Sequence, residues 1–264
     1  MKVFALSSGS SGNCCFVRGE NTSILIDAGI SVSKIASRLN EIGESIEDID
    51  AVFITHEHYD HMCGLLNLKK RVPKIKIFAH KAVCKAIANK HGFLSSSLEA
   101  IESAVLYFGE FLINAFELSH DSCACLGYSI YLGASKFSIA TDCGVFDDDA
   151  INNVYDSDLI FLESNYSEEM LDCCTKYTEY LKQRIRANTG HLSNKATASV
   201  IKKILTKRQS ENLSEPTIVL AHLSQNSNSK EVCQTEVGKF LDEQNATCNF
   251  CVIEHAGVSE VYII

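Results

Sequence analysis

The sequence predicts an α/β fold that forms one domain over residues 1–264. Short apolar runs, rich in the β-branched and aromatic residues typical of strands, are spaced along the whole chain between segments of helical pattern. Several of these runs end directly in a histidine or a carboxylate, and strand ends converge on one rim in α/β folds. Only two prolines occur and no Gly/Ser-rich or charged linker divides the chain, so we expect one large core.

The apolar runs place the strands, and the remaining patterned segments place the helices. Strands are predicted at residues 2–6, 14–18, 22–26, 50–55, 75–79, 105–108, 111–118, 126–132, 137–140, 159–163, 217–221, 247–253 and 260–264. Helices are predicted at residues 33–42, 64–70, 82–90, 147–154, in parts of 168–186, at 194–207 and at 229–242. Ser193 or Asn194 is a suitable N-cap for the helix at 194–207.

The loop at residues 7–13 consists of serine, glycine and one asparagine. Backbone N–H groups in such a loop could cradle an anion, although a plain hairpin connection explains the composition equally well. Ser10 and Asn13 in this loop are therefore candidate substrate-binding residues, as is Ser193, which follows a Gly-His-Leu segment.

A dense group of potential metal ligands follows the strand at 50–55. Residues 56–61 read His-Glu-His-Tyr-Asp-His. On an extended backbone His56 and His58 point to the same side, and the chain must then turn, which allows Asp60 and His61 to face a second, neighbouring point. Imidazole and carboxylate ligands suit zinc, iron or manganese better than calcium or magnesium. A histidine cluster on a solvated loop is the alternative.

The same pattern of a strand followed by a polar residue recurs later in the chain. His120, Asp142, Glu163 and His222 each lie at the end of a predicted strand. A hydrogen-bonded core histidine would explain any one of these positions, but not their repetition. We therefore expect these side chains to meet the earlier cluster at one rim.

Composition and charge restrict the cellular setting and the partner. No apolar run is long enough for a signal peptide or a membrane span, and the twelve cysteines are expected to be free thiols, so we expect a soluble, cytoplasmic protein that does not bind membranes. The net charge of −9 argues against a protein that binds nucleic acid nonspecifically over its whole surface. However, 17 of the 24 basic residues fall in the stretches 69–90 and 176–208, which could guide a polyanion or could form ordinary solvated helix faces.

The residues His56-x-His58-x-Asp60-His61, together with His120, Asp142 and His222, resemble the ligand pattern of the metallo-β-lactamase superfamily across nearly the whole chain. The resemblance implies a four-layer αβ/βα sandwich with two divalent metal ions at the top edge of the sheets, zinc or manganese with iron as a further option. It also implies the ligand sets. One ion would take His56, His58 and His120, the other would take Asp60, His61 and His222, and Asp142 would bridge them.

Three further segments are similar to a bacterial exonuclease group of this superfamily, the YycJ (WalJ) group. They are residues 8–13, 190–194 and 221–224. The group implies a DNA substrate and 5′-to-3′ polarity. A more distant likeness to ribonuclease Z implies that Glu163 and His191 assist phosphodiester cleavage, with Leu192 interrupting the expected Gly-His-Ser order.

These observations lead to one main functional hypothesis and two alternatives. Two divalent ions about 3.5–4 Å apart can lower the pKa of bound water to about 7 and supply a hydroxide. The main hypothesis is a nuclease of DNA, favoured over RNA, with Asp60, His191 and Glu163 as catalytic residues: Glu163 orients His191, which stabilises the transition state or protonates the leaving oxygen. The alternatives are a small ester or thioester hydrolase of the glyoxalase II or lactonase type, which has no use for the basic stretches, and a metal-dependent regulatory or binding protein. The oligomeric state is left open.

Overall fold

Two mixed sheets of seven strands each pack face to face in the computed structural model, which describes Met1–Ile264. The first sheet contains, side by side, β1 (Lys2–Ser7), β2 (Cys14–Arg18), β3 (Ser23–Ile26), β4 (Ala51–Phe53), β5 (Lys76–His80) and β6 (Leu98–Ile101). The second contains β7 (Val105–Phe108), β8 (Phe111–Glu117), β9 (Leu126–Leu132), β10 (Ser135–Ala140), β11 (Leu159–Glu163), β12 (Thr217–Ala221) and β13 (Phe250–Val252). The last strand, β14 (Tyr262–Ile263), returns to the first sheet and pairs with β1.

Each sheet is antiparallel in one half and parallel in the other. Strands β3 to β6 run parallel to one another, as do β10 to β13, whereas β1 to β3 and β7 to β10 are antiparallel neighbours. The carboxyl ends of parallel strands meet at one edge of a sheet. Residues that follow β4, β10, β11 and β12 are therefore brought to the same rim.

Helices cover the outer face of both sheets. They are α1 (Val32–Glu41), α3 (Leu65–Arg71), α4 (Lys81–Lys90), α5 (Asp148–Val154), α8 (Asn194–Ser210) and α9 (Lys230–Glu243). Three further helices, α2 (Tyr59–Met62), α6 (Glu168–Cys173) and α7 (Glu179–Arg186), lie outside these two layers. One apolar cluster joins the first sheet to α1, α3 and α4, and a second joins the other sheet to α5, α8 and α9. The order helix, sheet, sheet, helix is the four-layer αβ/βα sandwich that the sequence led us to expect.

Both faces of each sheet are apolar, and the side chains of each central strand point alternately to one face and the other. In β1, Val3 and Ala5 belong to the core between the two sheets, while Phe4 and Leu6 belong to the core beneath the helices. Successive side chains of a strand point to opposite faces, so a strand buried on both sides reads as a continuous apolar run. This is the reason that the central strands could be recognised in the sequence as short unbroken runs.

Aromatic residues join the two sheets directly beneath the rim. Phe53 of β4 stacks on Phe78 of β5, with ring centroids 4.8 Å apart, and meets Tyr128 of β9 edge-on. The hydroxyl of Tyr128 donates to the carbonyl oxygen of Ile54 at 2.7 Å, and Tyr128 is fully buried. This hydrogen bond fixes the end of β4 against the second sheet, two residues before His56.

The C-terminal strands and one edge strand differ from the sequence prediction. β13 and β14 are shorter than predicted, and β6 was not predicted, because its residues alternate weakly and two of them, Glu99 and Ala100, are exposed at the sheet edge. All twelve cysteines are free thiols. None of the helices combines the length and the apolar character that crossing a membrane requires.

Candidate metal centre

The rim collects side chains from both sheets at the ends of their strands. From the first sheet, His56 and His58 follow β4, and Asp60 and His61 lie in the short helix α2 that comes next. Glu163 is the last residue of β11 in the second sheet. From the second sheet, His120 follows β8, Asp142 follows β10 and His222 follows β12, while His191 lies in the loop before α8. The structure thus brings together the residues that the sequence placed at strand ends.

The loops after β1 and β3 hold the four-residue helix α2 in place. The backbone N–H of Asn13 donates to the carbonyl of Asp60 at 2.8 Å, and that of Ala28 donates to the carbonyl of His61 at 2.8 Å. Gly29 passes so close that a Cβ atom there would lie 1.6 Å from the carbonyl oxygen of Asp60. Glycine is therefore needed at position 29 for Asp60 and His61 to reach the rim.

The potential ligand atoms form overlapping groups in which all members lie within 4.8 Å of one another. One group contains His56, His58 and His120, and another contains Asp60, His61 and His222. Asp142 lies within reach of both, since it groups with His56 and His61 and, separately, with Glu163, His191 and His222. Asp142 thus belongs to groups that overlap both triads.

Several buried polar atoms at the rim have no hydrogen-bond partner. They are Nε2 of His56, Nε2 of His222 and Oδ2 of Asp142, the last of which lies 3.2 Å from Nε2 of His61 without a hydrogen bond. A buried polar atom left unpaired costs about 1–3 kcal/mol. Imidazole nitrogens and carboxylate oxygens that converge in this way suit zinc, iron or manganese, so the residues present fit divalent metal binding.

Asp27 supports the two histidines nearest the first sheet. Nδ1–H of His61 donates to Oδ2 of Asp27 at 2.7 Å. Nδ1–H of His56 donates to the hydroxyl of Thr55 at 3.0 Å, and that hydroxyl donates in turn to Asp27. When Nδ1 carries the proton, Nε2 keeps a free lone pair, which is the arrangement that metal-binding histidines usually show.

The two histidines from the second sheet have equivalent supports. Nδ1–H of His120 donates to the carbonyl of Gly190 at 3.2 Å, and Nδ1–H of His222 donates to Oε1 of Glu163 at 3.1 Å. Each ring therefore points its Nε2 atom toward the rim. Four histidines thus share one orientation, which is set by an acceptor behind each ring.

Glu163 and His222 carry opposite charges at the rim. Burial alone would raise the pKa of Glu163, but the facing His191 and His222 lower that pKa to about 2. Burial likewise opposes the charge on His222, yet Asp142, Asp60 and Glu163 outweigh it and raise the pKa of His222 to about 10. A divalent ion at the rim would place further positive charge next to these carboxylates.

Three residues at the rim have left-handed backbone conformations although none is glycine. The φ angles are 63° at Asp27, 62° at Asp142 and 59° at His222. Such a conformation costs about 1–3 kcal/mol and persists only where the surroundings enforce it, commonly at functional sites. Asp27 and His222 directly follow their strands and Asp142 comes one residue after Thr141, so each bend lies where the chain leaves the sheet at the rim.

A cavity of about 210 Å³ opens beside the candidate ligands. It is lined by Ser10, His58, Asp60, His120, Asp121, Asp142, Leu181, Arg184, Ile185, Gly190, His191 and His222. A larger cavity of about 570 Å³ lies elsewhere, beside His80 and Glu117, and its lining includes none of the candidate ligands. We assign the chemistry to the smaller cavity because the potential ligands face it.

Glu163 and His191 form a hydrogen-bonded pair at the wall of this cavity. Nδ1–H of His191 donates to Oε1 of Glu163 at 2.7 Å, and Oε2 of Glu163 accepts from the backbone N–H groups of Cys143 and Leu192 at 3.0 and 3.1 Å. Burial would lower the pKa of His191, but the charge of Glu163 and this hydrogen bond raise it. The pair thus presents the Nε2 side of His191 to the cavity.

The structure separates the three predicted substrate-binding residues. Ser10 is exposed and lines the cavity. Asn13 is buried, where it accepts from the backbone N–H of Gly9 at 2.9 Å and lies 3.0 Å from Nε2 of His61. Ser193 is also buried and caps α8 by accepting from the N–H of Ala196 at 3.2 Å. Neither Asn13 nor Ser193 lines the cavity, because both side chains are used to hold loops.

The basic stretches are only partly available to a ligand. Arg208 is buried and donates to backbone carbonyls of Tyr155, Ser157 and Ser214. In contrast, Lys81, Lys85 and Lys90 of α4 are exposed and make no ion pair, and Arg184 lines the cavity. The stretch 69–90 therefore keeps exposed cations without ion pairs in α4, and Arg184 of the stretch 176–208 reaches the cavity.

Sequence reasoning missed Asp27 and Asp121, and it included Arg184 only as one member of the basic stretch 176–208. Asp27 ends β3 as the other polar residues end their strands, so the same pattern could have found it. Asp121 lies between the side chains of His58, His120 and Arg184, with Oδ1 buried and without a hydrogen-bond partner. Only its position next to His120 is visible in the sequence.

The model of the beta-lactamase superfamily domain matches residues 22–209 of the chain. The chain belongs to the metallo-β-lactamase superfamily. Within it, the chain is 34% identical over 235 residues to the exodeoxyribonuclease WalJ of Streptococcus pneumoniae serotype 2 (strain D39), covering 88% of this chain and 84% of that protein. It is 28% identical over 241 residues to the exodeoxyribonuclease YycJ of Bacillus anthracis, covering 90% and 88%.

A solved structure from the superfamily has the same architecture. The metallo-β-lactamase fold protein YhfI of Bacillus subtilis superposes with a TM-score of 0.72 at 17% identity, over 98% of this chain and 99% of that one. At this identity the likeness shows the fold alone. Together with the relatives above, it confirms the superfamily and the sandwich that the His-x-His-x-Asp-His pattern led us to expect.

Proposed function

We propose that this member of the superfamily is a metal-dependent nuclease, specifically a DNA exonuclease that works from the 5′ end. The observation that carries the proposal is the hydrogen-bonded pair of Glu163 and His191 at the wall of the cavity onto which the candidate metal ligands open. Both exodeoxyribonuclease relatives, which align over most of their length, support the choice of DNA and of an exonuclease.

We assign seven residues as metal ligands. His56, His58 and His120 would hold one divalent ion, Asp60, His61 and His222 would hold the other, and Asp142 would contact both. Zinc and manganese are the preferred ions, and iron also suits these ligands. Two such ions, when bound, would supply Lewis acidity at a phosphoryl oxygen and lower the pKa of water.

The remaining residues would orient the substrate and move a proton. His191 reaches the cavity with its Nε2 side and, protonated through its contact with Glu163, would donate a proton to the leaving oxygen of the phosphodiester. Glu163 orients His191, and Cys143 and Leu192 fix Glu163 through their backbone N–H groups. Ser10 is the residue we assign to substrate contact at the cavity mouth.

The ester-hydrolase alternative finds less support in the cavity. Sites for small organic ligands are mostly apolar and enclose about 300–1,000 Å³. Here the cavity has a volume of about 210 Å³, and Leu181 and Ile185 contribute the only aliphatic side chains to its lining. Such a space suits a phosphate group with bases left outside better than it suits an acyl chain.

The decisive experiment is digestion of end-labelled DNA and RNA, single-stranded and duplex, with zinc, manganese or iron added. We expect stepwise shortening of DNA from the 5′ end that requires metal and is absent in His58→Ala. Intact DNA and RNA under every metal would overturn the nuclease proposal. In that case, turnover of thioesters or lactones would favour the ester hydrolase, and tight metal binding without any hydrolysis would favour a regulatory or binding protein.

We further propose that the protein acts in the cytoplasm, where its DNA substrate is found in bacteria.

A further inference from the structure

Two strongly exposed aromatic side chains stand next to the cavity. Tyr59 is 72% exposed and lies between His58 and Asp60, both of which line the cavity. Tyr180 is 79% exposed and directly precedes Leu181, which also lines it. Neither tyrosine belongs to an apolar core cluster, and neither hydroxyl makes a hydrogen bond within the protein. Their rings therefore contribute little to the fold.

Single exposed aromatic residues are common on protein surfaces and need no explanation by themselves. Tyr107, which is 80% exposed on the edge strand β7, is such a residue, since it lies away from the cavity lining. Tyr59 and Tyr180 differ from it because each stands on an element that carries cavity residues. They also differ because each has a cation beside it.

The cation beside Tyr59 is Lys90, whose Nζ lies 5.7 Å from the ring centroid. Lys90 is exposed and pairs with no carboxylate. On α7, Tyr180 and Arg184 are four residues apart and thus share one face of the helix. Arg184 lines the cavity and forms an ion pair with Asp121, which also lies 4.0 Å from His58, next to Tyr59.

The size of the cavity decides what these rings could contact. At about 210 Å³ the cavity is smaller than the range of about 300–1,000 Å³ that encloses a small organic ligand. A phosphate and part of a sugar would occupy it, so the attached bases must remain at the mouth. Aromatic rings with cations beside them are the means by which proteins hold unpaired bases and their phosphates without regard to sequence.

We propose that Tyr59 and Tyr180 stack on the unpaired bases that flank the scissile phosphate, with Lys90 and Arg184 contacting the neighbouring phosphates. The substrate would thus be the unpaired end of a DNA strand. This inference rests on the nuclease activity proposed above. Bases inside a duplex offer no free face to a tyrosine, so a blunt duplex end must first fray, and strands with an unpaired end are preferred.

Binding can be measured apart from cleavage with a short single-stranded oligodeoxynucleotide that carries 2-aminopurine at its terminal positions and phosphorothioate linkages that slow cleavage. Stacking quenches 2-aminopurine fluorescence. With manganese present, we expect quenching by the unmodified protein and its loss in Tyr59→Ala and Tyr180→Ala, with binding weakened roughly tenfold by each change. Tyr59→Phe and Tyr180→Phe retain the ring and should restore both signals.

Tyr107→Ala is the matched control, because it removes an equally exposed tyrosine away from the cavity. It should bind and cleave as the unmodified protein does. A strand with abasic terminal positions tests the same contact by removing the bases instead of the rings. The unmodified protein should cleave this strand with a higher KM than the normal strand. In the alanine variants, the loss of the bases should cause no further rise in KM. Bound metal, measured in every variant, should be unchanged.

The outcomes separate the two proposals. If the unmodified protein neither binds nor cleaves any strand, the nuclease function itself fails. If it cleaves DNA while both alanine variants quench, bind and cut as it does, the stacking proposal alone is overturned. Loss of bound metal in Tyr59→Ala would make the effect of that variant structural and remove Tyr59 from the proposal. Tyr180, which is not adjacent to any candidate ligand, would then decide it.

Discussion

The imidazole of His61 and the carboxylate of Asp27 are joined by a hydrogen bond of 2.7 Å between Nδ1 and Oδ2, and both side chains are buried. The two residues come from different loops of the first sheet, and the same carboxylate also accepts from Thr55. Asp27 therefore sets the orientation of a candidate ligand without facing the cavity itself.

Asp27→Asn tests this support while keeping the backbone, because asparagine tolerates the left-handed conformation at position 27. We expect metal affinity to fall about 10- to 100-fold, the range found when such supporting groups are changed. Titration with zinc against a competing chelator measures the change. Asp148→Asn, at a highly exposed position, is the control and should bind metal normally. Equal affinities in the two variants would show that Asp27 does not support the site.

His191→Ala and Glu163→Gln should differ in their effects on kcat and on metal affinity. His191 is proposed to move a proton, so its removal should lower kcat about 10²- to 10⁴-fold while bound metal stays the same. Glu163 also accepts a hydrogen bond from Nδ1–H of His222, so Glu163→Gln should lower both kcat and metal affinity. Steady-state cleavage combined with metal analysis distinguishes the two patterns. A metal loss in His191→Ala equal to that in Glu163→Gln would contradict the proposed division of roles.

Metal removal should reduce thermal stability as well as activity. A ligand present at 100 times its dissociation constant stabilises the folded state by about 2.7 kcal/mol, and in a protein of this size each kcal/mol shifts Tm by about 2–4 °C. We therefore expect chelation to lower Tm by several degrees, and added zinc or manganese to restore it. Differential scanning calorimetry checks this, with His58→Ala as the variant that should respond least. An unchanged Tm would argue against tight metal binding.

Tyr128→Phe tests how the second sheet fixes the strand that leads to His56. The substitution removes the hydroxyl that donates to the buried carbonyl of Ile54 and leaves that acceptor unpaired. The free energy of unfolding should fall by about 1–3 kcal/mol in urea titrations. Tyr107→Phe, on the exposed edge strand, should change it by less than about 0.5 kcal/mol. If the two variants change the free energy of unfolding equally, the hydrogen bond from Tyr128 does not contribute to stability.

The sequence predicted the fold, and it predicted that the candidate ligands lie close together, because both depend on local signals. A strand buried on both faces is a short apolar run, and the residue that ends it can be identified by position, as for His56, Asp142 and His222. Asp27 carries the same signal, but its importance depends on a contact with His61, 34 positions later, which no local pattern reveals.

Loop side chains were harder to interpret. Asn13 and Ser193 have residue types suited either to anion binding or to capping, and only the tertiary packing showed that both cap backbone groups. The strand β6 was missed because an edge strand buries only part of its side chains and so lacks a strong apolar pattern.

The two candidate ligand triads divide unevenly between the sheets. Each triad takes two residues from the segment after β4 and one from the second sheet, His120 in one case and His222 in the other. Neither half of the chain can therefore complete either triad by itself. Any ion held by a complete triad would therefore bind tightly only after the two sheets have docked, which would make metal capture a late step for a newly made chain.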